Sequence, residues 1–135
     1  MKLFLALLLA LSSLHAASVD MQEDYTVALK KAKKEDKPLM LYLYMLNCNA
    51  CNYMNNDVFT DKRVIDYLTK NYVVVKLYTN DRGLPKELRV EMSPVFHFLN
   101  SQNSEMIESI IGGRNAEKFL KLLKNSYADY KEETN

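Results

Sequence analysis

The apolar positions of this chain change their period several times, and each change marks an element. Tyr25, Ala28, Leu29 and Ala32 recur at helical spacing, as in a helix with one buried stripe. Ahead of it stands "DMQE", in which Asp20 and Glu23 have the spacing of a capping box. Pro38 closes the helix. "LMLYLYML" (39–46) is unbroken apolar sequence, which predicts a strand buried on both sides. Helical signals follow from Ala50 to Met54 and again from Asp61, with Val64, Ile65 and Leu68 on one face.

"YVVVKLY" (72–78) predicts a second buried strand, rich in β-branched residues. "LPKELRV" reads as a short helix before Met92, and "VFHFLN" and "EMIESII" as a hairpin around "SQNS". Gly112 and Gly113 break that last strand. Asn115 then caps a final helix with an apolar stripe of Ala116, Phe119, Leu120, Leu123 and Tyr127. From residue 128 the sequence is polar and reads as a fraying tail. Strands alternating with helices predict an α/β three-layer sandwich, its mixed central sheet flanked by helices. The two early strands should run parallel and the last pair antiparallel.

The N-terminus changes the picture. Lys2 precedes "LFLALLLALSSL" and the small residues Ala16 and Ala17, the layout of a secretory signal. The run is short of the roughly 20 apolar residues that a membrane span needs. The expected division is a signal over 1–17 and one domain over 18–135, periplasmic or secreted after cleavage, with no stable membrane insertion. The whole chain has 18 basic and 17 acidic residues, and loss of Lys2 balances them. A balanced charge argues against nucleic acid as the partner.

The candidate chemistry lies in "MLNCNACNYM" (45–54), which holds both cysteines of the chain, Cys48 and Cys51. Two cysteines are too few to build an exported fold from disulfides, so the pair is free to act. Cys48 falls where a strand gives way to a helix, and unpaired N–H groups of a first helical turn favour a thiolate there. Cys51, one turn on, is placed to attack a mixed disulfide at Cys48. The roles that follow are an exposed attacking Cys48 and a buried resolving Cys51.

Other chemistries are open to different degrees. Structural zinc wants four nitrogen or sulfur ligands, and beyond the signal only His97 could join the two cysteines. Haem attachment needs a histidine after the second cysteine, where Asn52 stands. Cu(I) suits thioether sulfur, and Met40, Met45, Met54 and Met92 surround the motif. Ordinary core or groove packing is the favoured account of those methionines. No metal and no cofactor is therefore assigned.

The element order, the Cys-x-x-Cys at a strand-to-helix junction and the proline of "MSPVFHFL" resemble the thioredoxin superfamily. "CNACNYMNNDVFTDKRVIDYLTKNYVVVKL" resembles, within it, the exported thioredoxin-like group that includes the periplasmic thioredoxins of sulfur oxidation. The likeness runs from Asp24 to Tyr127. It implies a thioredoxin-like fold, with Cys48 as nucleophile and Cys51 as resolving thiol in a redox-active disulfide. It also implies a cis bond before Pro94, a substrate strand held by Ser93 and Pro94, and a second groove wall at Gly112 and Gly113. The implied partners are disulfide-containing client proteins and a membrane thiol donor.

Departures from the pattern carry information. Asn47 stands where the family commonly has tryptophan. Tyr42 occupies the position of a buried acid that helps deprotonate the resolving cysteine. Lys76, without that carboxylate, is expected to reach solvent, and Cys51 to rely on water or Glu91 or to resolve slowly. The spacer Asn49-Ala50 has no charge or imidazole to hold a thiolate. That points towards the reducing end of a family range of about −270 to −120 mV. Three functions are compatible with these residues: a thiol–disulfide oxidoreductase, a Cu(I) carrier, and a redox-silent client-binding chaperone.

Overall fold

The computed structural model describes residues 17–135; the apolar run read as a signal lies outside the described residues. Strand β1 is Met21–Gln22, followed by α1, Tyr25–Glu35. Asp24, rather than Asp20, caps α1, its carboxylate accepting from Val27 N at 2.8 Å. The expected capping box fails because Met21 and Gln22 pair in parallel with Val74 and Val75. Residues held in a sheet cannot form the preceding turn. At the other end Asp36 takes the left-handed conformation, φ 51°, and its N–H closes on Ala32 and Lys33. Pro38 follows it into β2.

β2 (Leu39–Tyr44) and β3 (Val73–Tyr78) run parallel, Leu39 opposite Val73. β4 (Val95–Leu99) is antiparallel to β2, and β5 (Met106–Ile111) antiparallel to β4. The sheet order is β1-β3-β2-β4-β5. Between β2 and β3 lie α2 (Asn49–Tyr53), a wider π-type turn over Met54–Val58, and α3 (Lys62–Asn71). A single 3₁₀ turn at Lys86–Leu88 stands where the short helix was expected, and α4 spans Ala116–Thr134.

Because strand side chains alternate between faces, β2 serves two cores. Leu39, Leu41 and Leu43 pack with Ala28 and Ala32 of α1, and with Leu84 and Leu88. Met40 and Tyr42 point the other way, into Met54, Val58, Phe59, Val64, Leu68, Phe119 and Leu123. That is the expected three-layer α/β sandwich.

The segment read as a polar tail is instead the end of α4. Tyr130 is fully buried and donates from its hydroxyl to Asp36 at 2.9 Å. Asn100 bonds Glu133 at 3.1 Å. One tyrosine and two polar anchors hold turns whose composition alone suggests fraying.

Candidate active site

β2 ends at Tyr44, and the chain must turn sharply to begin α2. Asn47 makes the turn with φ 56°, the left-handed region that asparagine tolerates better than bulkier residues. A tryptophan there would meet the Cβ penalty that asparagine partly escapes. Cys48 is the residue that caps α2: its Sγ accepts from Cys51 N at 3.1 Å. The two cysteines are joined as a disulfide, Cα to Cα 5.2 Å. Cys48 is half-buried, whereas Cys51 is 2% exposed. A sulfur at the rim and a sulfur behind it can exchange a disulfide between the surface and the interior.

Tyr42 forms the wall behind Cys51. Its ring stacks on Phe96 at 4.9 Å and lies 5.4 Å from Phe59. Its hydroxyl donates to Cys51 O at 3.4 Å. Burial pushes the phenol up to about 12, so it stays protonated; a hydrogen bond with Asn55 opposes this, and Tyr44 adds to it.

Lys76 does not simply reach solvent. Its Nζ donates to Asn55 Oδ1 at 3.3 Å and lies 5.3 Å and 5.0 Å from the Tyr42 and Tyr44 ring centres. Both distances fall within cation–π range. Partial burial lowers its ammonium below the usual lysine value. Two tyrosine faces and an amide here surround the lysine in place of a carboxylate.

The other residues implied by the resemblance come from two further loops. The Ser93–Pro94 peptide is cis, with Pro94 buried and Ser93 half-buried. Pro94 O accepts from Gly112 N at 2.8 Å, which joins the β4 and β5 sides. Gly112 has φ 86°, a conformation that calls for glycine. Gly113 is different. A Cβ there would sit 3.7 Å from Ala50 O and from Met54 Sδ, an ordinary contact. Gly113 thus lies against the spacer between the cysteines, yet space alone does not demand a glycine. Two contacts tie these loops together: Gly113 lies against Ala50, between Cys48 and Cys51, and Gly112 bonds Pro94, which follows Ser93.

Met54 adds a contact of the same kind. It is fully buried, and its Sδ accepts from Arg114 N at 3.4 Å. Met40 is buried as completely, while Met92 is 49% exposed. Met40 and Met54 therefore act as packing residues. Sequence reasoning missed Arg114, whose guanidinium also bonds Gly113 O at 2.9 Å and Ile111 O at 3.3 Å. Its place directly after two glycines was the available signal. Leu46 before Cys48, Met92 before Ser93 and Ile111 at the end of β5 are exposed apolar side chains, as are Val27, Tyr53 and Met106.

Comparison with known proteins gives this geometry a context. The sequence model of the Thioredoxin-like domain matches residues 25–127. No match was found among curated proteins. Among solved structures, a thioredoxin from Thermus thermophilus is 28% identical, with TM-score 0.70 over 80% of this chain and 86% of that one. A protein described as a candidate disulphide-isomerase from Bacteroides thetaiotaomicron is 29% identical, with TM-score 0.70 over 83% of this chain and 95% of that one. The C-terminal domain of DsbD from Neisseria meningitidis, oxidised, shares the fold at 22% identity and TM-score 0.65, over 79% of this chain and 99% of that one.

Proposed function

The chain belongs to the Thioredoxin-like domain family, and on that premise we propose that Cys48 and Cys51 reduce or exchange disulfides in proteins of the cell envelope. With its Cys-x-x-Cys pair the protein is a thiol–disulfide oxidoreductase. One observation carries the assignment of roles: Cys48 is the more exposed cysteine and its Sγ accepts the Cys51 N–H, while Cys51 is enclosed. A thiolate on Cys48 keeps that hydrogen bond and gains from it.

The cycle starts from the dithiol. Cys48 thiolate attacks one sulfur of a client disulfide; the client S–S bond breaks, and the other client sulfur leaves as a thiolate. Cys51, after losing its proton, attacks Cys48 Sγ. The Cys48–client bond breaks, the second client thiolate leaves, and the Cys48–Cys51 disulfide forms. Two electrons pass to the client, whose thiolates take up protons. The structure corresponds to the oxidised end of this cycle. A second dithiol, on a membrane donor, returns the two electrons.

The client lies as an extended segment along Ser93 and Pro94 with Gly112 and Gly113 opposite. Main-chain groups of Ser93 bind it in the manner of an added strand, and Leu46, Met92 and Ile111 receive its apolar side chains. The signal layout of residues 1–17 supports export to a periplasm or beyond. The Cys-x-x-Cys-x-x-Met pattern with Met54 supports a place in the exported group that includes the sulfur-oxidation thioredoxins. Two measurements test the reading. N-terminal sequencing should find exported protein starting near Ala17 or Ser18, and intact Met1 on membrane-bound protein would overturn export. The purified dithiol should reduce a small neutral disulfide, and Cys48→Ser should abolish this; equal rates with Cys48→Ser would remove the catalytic assignment.

A further inference from the structure

The first two turns of α4 carry an exposed cationic face that the redox cycle leaves unused. Arg114, Lys118, Lys121, Leu122 and Asn125 line one depression of about 260 Å³. Lys118, Lys121 and Asn125 are exposed, and Leu122 is half-buried beneath them. Among the described residues the ion pairs are Lys31–Asp20, Lys37–Glu35, Lys62–Asp66 and Arg63–Asp61. Arg114, Lys118, Lys121 and Lys124 enter none of them. The acid in this stretch, Glu117, acts on Arg63 of α3 instead, away from the depression. On the α3 side Lys124 lines a second depression of about 410 Å³, of mixed charge, with Lys70, Asp66 and the Asp61-paired Arg63.

Two features make this face more than an ordinary solvated one. Past residue 17 basic and acidic residues balance, yet the depression is lined by three cations and no acid, so its charge is locally of one sign. The face also begins at the redox centre. Arg114 follows Gly113, which lies against Ala50 of the cysteine spacer, and Arg114 is fixed to Met54 and Gly113 by hydrogen bonds.

We infer that the start of α4 is a docking surface for client proteins carrying a carboxylate-rich segment beside the disulfide to be reduced. The inference rests on the redox reading above and adds to it a rule for choosing clients. Charge complementarity identifies the occupant, and such surfaces act chiefly on the rate of encounter. Leu122, on the floor of the depression, fits one apolar side chain among the carboxylates. Two turns of helix span about 10 Å, which an extended segment covers in about three residues. For the test, the carboxylates are placed about three to five residues from the reacting client cysteine, enough to cover those two turns.

The test uses disulfide-closed peptides of one sequence, with glutamate, glutamine or lysine at those flanking positions. At low ionic strength the dithiol protein should reduce the glutamate peptide with kcat/KM about tenfold above the glutamine peptide, the lower end of electrostatic steering. High salt and the Lys118→Gln/Lys121→Gln variant should each bring the two peptides together. Binding of the glutamate peptide with serines in place of its cysteines, followed by titration calorimetry, reads docking without any redox step. Turnover of 2-hydroxyethyl disulfide reads redox competence without docking. Loss of that turnover would overturn the redox reading, while calorimetry would still decide the docking one. Equal kcat/KM for glutamate and glutamine peptides, or a preference that survives in the double-lysine variant, would overturn the docking surface. So would binding to vesicles rich in phosphatidylglycerol with none to the serine peptide, since that would make lipid the occupant.

Discussion

Replacing Met54 separates packing from sulfur chemistry at the joint between the cysteine helix and the groove loop. Met54 has no solvent exposure and shares its core with Phe59, Phe96 and Phe119. Phe119 lies 5.6 Å from Phe59 and 5.0 Å from Phe96, ring centre to ring centre. Interlocked rings of this kind cannot collapse far into a void. Met54→Ala should therefore fall in the upper part of the range for such truncations, about 3–5 kcal/mol. Met54→Leu conserves volume and should cost less than about 1.5 kcal/mol. It also removes a sulfur acceptor from Arg114 N, on a half-buried residue that water can reach. Urea unfolding of the oxidised protein measures both. At a slope of about 1.5 kcal/mol/M, Met54→Ala should lower the midpoint by about 2–3 M and Met54→Leu by less than about 1 M. Small-disulfide turnover should persist in Met54→Leu, because a buried packing residue contributes no ligand and no proton. Equal destabilisation by the two variants would refute the packing argument. A Met54→Leu variant that is folded but inactive would refute the assignment of Met54 to packing.

Three further outcomes follow from measured contacts. Tyr72 donates to Leu123 O at 2.7 Å in the core, so Tyr72→Phe should destabilise by about 1–2 kcal/mol in the same unfolding assay; no change would mean that the bond contributes nothing net. Burial lowers His97, although a bond to Leu88 O opposes this. A neutral folded imidazole means that stability is complete above the unfolded value of 6.5 and declines as pH falls below it. His97→Gln should flatten that decline in pH-dependent unfolding, and an unchanged slope would contradict it. The Asp61 carboxyl is held down to about 2, first by its bond to Arg63. Its stabilisation is present above the unfolded value near 4 and is lost as pH falls towards 2. Asp61→Asn keeps the cap of α3 and should lose only this acid-sensitive part.

What the sequence revealed depended on whether one residue or many carried the signal. β2 was legible because all its side chains are apolar, and both faces of the sheet are covered. The cysteine turn was legible from spacing. β1 was not, since two residues of pairing with β3 are too short for any periodicity. The end of α4 was misread because Tyr130 alone buries it, among charged neighbours. Within the site, the positions of Pro94, Gly112 and Gly113 came from resemblance. Their meeting depends on the Gly112–Pro94 hydrogen bond, which no local pattern encodes. Lys76 was misjudged for the same reason. Its partners Tyr42, Tyr44 and Asn55 come from a neighbouring strand and a distant helical turn.

The ordered use of the two cysteines is tested most directly by trapping. Cys51→Ser keeps the attacking sulfur and removes the one that releases the client. Expressed in the envelope, acid-quenched, alkylated and run on non-reducing gels, this variant should accumulate reducible covalent complexes. Mass spectrometry should locate the link at Cys48. Cys48→Ser should give no such complexes. Equal banding from both variants, complexes from Cys48→Ser alone, or none from either would contradict an attacking Cys48 and a resolving Cys51.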